Sequence, residues 1–211
     1  MTSLYLVRHG ETDWNAQRRI QGSTDIPLNE MGWLQAETTG RLLARREWDG
    51  VFTSPLSRAY DTASVIAREI GMPAPKVVDG IVERNYGAAE GLDWNEIEAQ
   101  FPGDAPVPGR ETHAEVAARA IPALISLAKA NPSTSLVVVS HGGVIRSVLN
   151  AVAPSDSHGP ITNGSVHSFE YVDGALELIE FNDPIDELSL EYGTEDLDEQ
   201  NAVESRDALH A

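Results

Sequence analysis

The stretch Leu136-Val137-Val138-Val139, running straight into Ser140-His141-Gly142-Gly143, decides the fold. Four apolar residues in a row suit a strand covered on both faces, as in a sheet sandwiched between helices. Val144 to about Val152 then reads as a helix, so His141 falls where strand gives way to helix. Ser3-Leu4-Tyr5-Leu6-Val7 repeats the pattern and opens into Arg8-His9-Gly10. Val51-Phe52-Thr53-Ser54 is a third strand, followed by a helix from Ser57 to about Ile70 that Gly71 closes. Further outward, Asn29 caps a helix running to about Arg46, and Lys76-Val77-Val78 is a brief strand. Asp93 to Gln100 is a short helix, and Phe101 to Arg110, with Pro102, Pro106 and Pro108, is a loop. Thr112 to about Ala130 is helical, with Pro122 expected to start, break or kink it. Ser165 to Val172 and Ala175 to Phe181 alternate around Asp173-Gly174, a hairpin signal. Strands alternating with helices predict an α/β fold: a three-layer α/β/α sandwich around a mostly parallel sheet.

The chain of 211 residues, 41% apolar, is long enough to bury a core without covalent staples. With no Cys it has no disulfide frame, thiolate metal site or cysteine nucleophile. Its 33 Asp and Glu against 15 Lys and Arg give a net charge of −18, which argues against a nucleic-acid partner. No apolar run is long enough to span a membrane, and the start, Met1-Thr2-Ser3-Leu4, does not read as a secretory signal. A soluble, cytoplasmic protein is expected. From Asp183 to Ala211 there are ten acidic residues and one Arg, so −9 of the −18 lies there. The expectation is one domain over 1–182 and a disordered acidic tail over 183–211.

Two strand ends place a histidine beside glycine, His9-Gly10 and His141-Gly142. Ligands of open α/β sheets sit at the carboxyl ends of strands, so the two can converge on one pocket. Glycine lets backbone approach a ligand, and a helix N-terminus after His141 favours an anion. Arg8 precedes the first histidine and Arg58 opens the helix after the third strand. Two Arg and two His form a phosphate-binding set, and in so acidic a chain a cationic pocket marks an anion site.

Leu6-Val7-Arg8-His9-Gly10-Glu11-Thr12 with Asn15 resembles the signature of the histidine phosphatase superfamily, the phosphoglycerate mutase-like fold. The resemblance continues through Gln21-Gly22, Asp25, Pro27-Leu28 and Gly32, then Ser54-Pro55-Leu56-Ser57-Arg58-Ala59. It recurs in Glu83-Arg84-Asn85-Tyr86-Gly87 with Glu90-Gly91, and in Ser140-His141-Gly142-Gly143. It implies that His9 is the nucleophile that takes the phosphoryl group. Arg8, Arg58, His141 and Asn15 bind phosphate oxygens, and Glu83 protonates the leaving oxygen. Gln21 and Gly22 lie near the phosphate, and Tyr86 lies where mutase relatives contact the substrate body. No metal and no cofactor are implied, and the partner is a small phosphorylated metabolite. Glu11 is expected to support its loop, His167 to be structural, and Trp14, Trp33, Trp48 and Trp94 to serve packing. Arg18 and Arg19 read as exposed loop charge.

The same machinery serves a phosphatase, in which water takes the phosphoryl group, and a mutase, which returns it to another hydroxyl. Mutases of the family that need a bisphosphate primer carry a long insertion between the Glu motif and the second His motif; here only residues 92–140 intervene. Asp93, Glu96, Glu98, Asp104 and Glu111, with Arg110 the only base from Asp93 to Glu111, predict an acidic rim unfriendly to a bisphosphate. A metal-independent phosphatase is the favoured reading. An isomerase of phosphoglycerate mutase type is the alternative, and a non-catalytic phosphate-binding or interaction protein is the third. Variable segments around 18–23, 93–110 and 155–161 are where substrate specificity is expected to reside.

Overall fold

A computed structural model describes residues 1–154 and 158–185. Six strands form one sheet: β1 (Thr2–Arg8), β2 (Gly50–Thr53), β3 (Lys76–Val77), β4 (Ser135–Ser140), β5 (Val166–Val172) and β6 (Ala175–Glu180). Their order is β3-β2-β4-β1-β5-β6. The first four are mutually parallel, while β5 runs antiparallel to both β1 and β6. The α-helices among the described residues are α1 (Asp13–Ala16), α2 (Glu30–Leu43), α3 (Ser57–Glu69), α4 (Trp94–Gln100), α5 (His113–Ala130) and α6 (Gly142–Val152).

Alternation along β1 and β4 builds both cores. Leu4, Leu6, Leu136 and Val138 meet Val116, Ala120, Leu124, Val144, Ile145 and Val148 of α5 and α6. Val7, Val137 and Val139 meet Leu43 of α2 and Ala59, Ala63 and Ile66 of α3 on the opposite face. Each such aliphatic side chain contributes about 1.5–3 kcal/mol when fully buried. The continuous apolar run of β4 is therefore explained by a sheet with helices on both sides, the expected three-layer α/β/α arrangement.

Four details depart from the sequence expectations. Pro122 neither starts nor breaks α5; it lies inside the helix on its exposed side. The carbonyl it leaves unpaired, that of Ala118, is on an exposed residue too, where water can satisfy it. α2 stops at Leu43 rather than Arg46, because the indole N–H of buried Trp48 donates to the Leu43 carbonyl at 2.6 Å. Trp33 is 44% exposed and does not pack into the core. Ile185, counted with the tail by charge, is buried among Val7, Leu43 and Val51, and Asp183 N–H donates to Val166 O at 2.8 Å. The rest of the acidic tail, 186–211, lies outside the described residues.

Candidate active site

The strand register brings the chemistry together. Arg8 lies opposite Ser140 and Thr53 opposite Val139, so β1, β4 and β2 end at one level. Two backbone bonds extend that edge, His9 N–H to Ser140 O and Ser54 N–H to Val139 O. His9, His141 and Ser54 therefore leave the sheet side by side, with Arg58 in the first turn of α3 beside them. The imidazoles of His9 and His141 stand edge to face, 5.1 Å between ring centres. Arg8, His9, Arg58, Glu83 and His141 are all buried, none more than 2% exposed.

His9 is held at both ring nitrogens. Its Nδ1 lies 2.7 Å from the Gly10 carbonyl, an acceptor only, so Nδ1 carries the proton. Its Nε2 therefore presents a lone pair, and the Arg58 Nε–H donates to it at 3.2 Å. Burial first, then the charges of Arg58 and Arg8, hold the ring well below the usual histidine pKa, against the opposing Gly10 carbonyl. The loop beneath is tied to α3 through Thr62, whose Oγ1 accepts from Gly10 N–H at 3.0 Å and donates to Arg58 O at 2.7 Å.

Arg58 reaches across the pocket to a loop rather than to a carboxylate. Its terminal nitrogens donate to Thr24 O at 2.9 Å and Gly22 O at 2.7 Å. Burial pulls the guanidinium down to about 10, with Glu83 and Asp25 opposing, so it stays charged at neutral pH. The loop is shaped by Glu90, whose carboxylate accepts from the backbone N–H and hydroxyl groups of both Ser23 and Thr24. Gly22 has φ +57°, and a Cβ there would meet Glu90 Oε1 at 2.1 Å, so glycine is needed on both counts. Asp25 Oδ1 accepts from Ser57 N–H and Oγ–H at the head of α3.

Glu83 sits at the other wall. Its Oε1 accepts from Arg84 N–H at 2.7 Å and its Oε2 from Gly143 N–H at 3.2 Å, at the N-terminus of α6. Burial raises its pKa, outweighing the pull of the Arg84 N–H, Arg58, the Gly143 N–H and Arg8. Arg119 braces the backbone behind it, donating to the carbonyls of Gly80, Val82 and Glu83.

Two neutral amides complete the set. Asn15 Oδ1 is occupied by Thr12 N–H and Oγ–H and by the Asn163 amide, which leaves Nδ2 buried without a hydrogen bond. Gln21 is 1% exposed, and neither of its amide atoms has a partner among the described residues. Buried amides left unpaired are costly. Tyr86 is fully buried, with the guanidiniums of Arg84 and Arg110 5.1 and 5.8 Å from its ring centre. A Cβ on Gly143 would meet Glu83 Oε1 at 2.7 Å and the Tyr86 hydroxyl at 3.0 Å, so Tyr86 lies behind the carboxyl.

The acidic rim expected of residues 93–111 is in part consumed by structure. Asp93 and Glu96 cap α4 reciprocally, and Glu96 also pairs with Arg19. Glu98 accepts from Gly103 N–H, and Glu111 pairs with Arg119 at 3.0 Å. Arg19 thus braces the loop, and Glu11 accepts from the Asn29 amide. His167 is buried between Ser165 and the Asn182 N–H. Among the described residues no group of three or more His, Asp or Glu is placed to hold a metal ion, and no helix is long and apolar enough to cross a membrane.

Sequence reading assigned no role to Ser54, Thr62, Glu90 or Asn163. Asn163 Nδ2 donates to the His9 carbonyl at 2.9 Å, and Ser54 Oγ lies 2.7 Å from His141 Nε2. Ser54 follows the last residue of its strand just as His9 and His141 follow theirs, a signal that could have singled it out; Glu90 stands in the motif Glu90-Gly91, and Thr62 and Asn163 carry no signal.

Comparison with known proteins identifies the family and the fold. The family model of the histidine phosphatase superfamily (branch 1) matches residues 4–184. The chain is 38% identical over 181 residues to the uncharacterized phosphatase PhoE of Bacillus subtilis, covering 86% of this chain and 89% of the relative. It is 36% identical over 179 residues to the metal-independent phosphoserine phosphatase of Arabidopsis thaliana, covering 79% and 75%. Bisphosphoglycerate-dependent phosphoglycerate mutases are among the relatives as well. The solved structure of a mycobacterial glucosyl-3-phosphoglycerate phosphatase with VO3 superimposes with a TM-score of 0.78 at 29% identity, over 85% of this chain and 98% of that one.

Proposed function

The chain belongs to the histidine phosphatase superfamily, and on that premise we propose that it hydrolyses small phosphomonoesters without a metal, through a phosphohistidine on His9. The observation that carries the reading is the state of His9: Nδ1 bound to the Gly10 carbonyl and Nε2 lone pair turned to Arg58, with the His141 ring 5.1 Å away and the charge of Arg8 close by.

A phosphoryl transition state spreads negative charge over three equatorial oxygens, so positioned cations do most of the catalysis. Arg8, Arg58, His141 and the Asn15 amide bind those oxygens. Arg58 Nε–H, resting on His9 Nε2 in the free protein, passes to an oxygen as the ester enters and uncovers the lone pair. His9 Nε2 attacks phosphorus, the P–O bond to the alcohol breaks, and the departing oxygen takes the proton of Glu83. Water then attacks phosphorus and gives a proton to the Glu83 carboxylate. The P–N bond breaks, its electrons return to Nε2, and inorganic phosphate leaves. The raised pKa of Glu83 supplies the protonated acid that the first step needs.

Residues 92–140 form α4, the proline-bearing loop, α5 and all of β4, which leaves little chain to seal the site against water. The two curated relatives quoted above are also phosphatases. These support hydrolysis over the mutase alternative, and the acidic rim adds to them less than its carboxylate count implies, since Glu96 and Glu111 are paired with Arg19 and Arg119. The acidic, cysteine-free composition supports a cytoplasmic setting, with a small phosphorylated metabolite as the partner. The test is release of phosphate from p-nitrophenyl phosphate in EDTA. It should proceed in the wild type and vanish in His9→Ala with the fold intact. Activity surviving that substitution overturns the assigned nucleophile. Interconversion of phosphoglycerates that depends on a bisphosphate primer, with little phosphate released, establishes the mutase instead.

A further inference from the structure

We propose that Ser54 is a positioning residue that fixes the tautomer of His141, so that His141 offers its Nδ1–H to the phosphoryl oxygens. The proposal rests on the phosphatase reading for its consequence, but not for its geometry.

Ser54 is fully buried, and its Oγ lies 2.7 Å from His141 Nε2. The Leu56 N–H donates to the same Oγ at 3.4 Å and occupies one lone pair. The hydroxyl proton still needs an acceptor, and His141 Nε2 is the one in reach among the described residues. Were Nε2 to carry the proton and donate, the serine O–H would be left orphaned in the core, a costly state for a buried donor. The serine therefore donates, Nε2 accepts, and the ring proton resides on Nδ1. That atom is buried and has no hydrogen bond among the described residues. Burial first, then the charges of Arg58 and Arg8, keep the ring from taking a second proton.

The outcome is the same tautomer as His9 with the opposite edge presented. His9 spends its N–H on the Gly10 carbonyl and shows the hollow a lone pair. His141 spends its lone pair on Ser54 and has an N–H left for an anion. A lone pair in that place would repel a phosphoryl oxygen, so without Ser54 part of the population would be in the wrong state for binding.

The experiment is nitrogen NMR of protein labelled at histidine, alone and with inorganic phosphate, the His141 signals being assigned by their loss in His141→Asn. In the wild type, His141 should show a protonated Nδ1 and a bare Nε2, with Nδ1 shifting most when phosphate binds. Ser54→Ala should yield a tautomer mixture and about tenfold lower kcat/KM, the scale of one hydrogen bond to a charged group. Ser54→Thr, which keeps the hydroxyl, should restore both. A proton on Nε2 in the wild type overturns the proposal without recourse to any variant. So does a Ser54→Ala protein whose tautomer and kinetics match the wild type. If the expected spectrum appears in a protein that releases no phosphate from p-nitrophenyl phosphate, the tautomer assignment stands and the phosphatase reading fails.

Discussion

The ends of β1 and β4 are near-copies in sequence, each a strand running into His-Gly, yet they are finished differently. After β1 the chain turns into a loop whose Gly10 carbonyl accepts a hydrogen bond from the His9 Nδ1–H. After β4 the chain goes directly into α6, and His141 must find its partner across the sheet edge at Ser54. One imidazole shows the hollow a lone pair and the other an N–H. The lesson is that a histidine's role is set less by its own motif than by what occupies its second nitrogen.

The largest effect should come from substituting the two rings alike. Asparagine has a donor but no nucleophilic lone pair of comparable strength. His9→Asn should therefore lose at least about 10⁴-fold in kcat, the scale for removing a nucleophile. His141→Asn should lose about 10²–10³-fold or less, the scale for one donor to a charged transition state. Steady-state hydrolysis of p-nitrophenyl phosphate measures both. Equal losses would mean the two strand ends share one task, and the contrast would be void.

Next in size is Glu83, which touches the β4 side through Gly143 N–H. Glu83→Gln should lower kcat about 10²–10³-fold on alkyl phosphates, whose leaving oxygen needs a proton. On p-nitrophenyl phosphate, whose leaving group needs no proton, the first turnover should stay fast as a burst of nitrophenolate, while steady-state turnover falls because Glu83 must still take a proton from the attacking water. Because burial raises the pKa of Glu83, its acid form persists above the usual carboxylate range, and alkyl phosphate hydrolysis should fall as pH rises through that raised value. A flat profile on alkyl phosphates would remove the carboxyl from its assigned place.

Gly143→Ala probes the same wall from the backbone. The new Cβ would lie 2.7 Å from Glu83 Oε1 and 3.1 Å from Arg84 Cβ, so the carboxyl must move. Such overpacking costs about 1–3 kcal/mol of stability, and kcat on alkyl phosphates should fall more than on p-nitrophenyl phosphate. Thermal unfolding and the two-substrate ratio together check it.

Much of this contrast was legible in the sequence because it rests on local pattern. Apolar runs announce β1 and β4, glycine follows each histidine, and Arg58 sits one turn into a helix that a strand feeds. What stayed hidden are contacts made by common residue types over long separations. Ser54 and His141 are 87 positions apart, and Asn163 meets the His9 carbonyl across 154. A serine or asparagine carries no sign of its partner until the sheet register brings them level. The acidic rim was only partly legible for a related reason: counting carboxylates cannot tell an exposed Glu98 from a Glu96 that caps a helix or a Glu111 that pairs with Arg119.

The smallest effect is on stability, and here the two histidines should behave alike. Both are neutral in the folded protein, with pKa held well below the 6.5 of an unfolded histidine. His113 and His167, away from the hollow, are lowered to about 3 by burial first and then by neighbouring positive charge. A group with a lowered folded pKa binds its proton more readily in the unfolded chain, so the stability it confers is complete above pH 6.5 and lost as pH falls below that value. Each such histidine adds about 1.4 kcal/mol per pH unit to the slope in that window. Urea unfolding between pH 7 and pH 5 should show stability falling on acidification, and His9→Asn and His141→Asn should each flatten the fall by about one proton's worth. If one substitution flattens it and the other does not, the two rings differ in protonation as well as in orientation, and the lone-pair and N–H assignments must be redrawn.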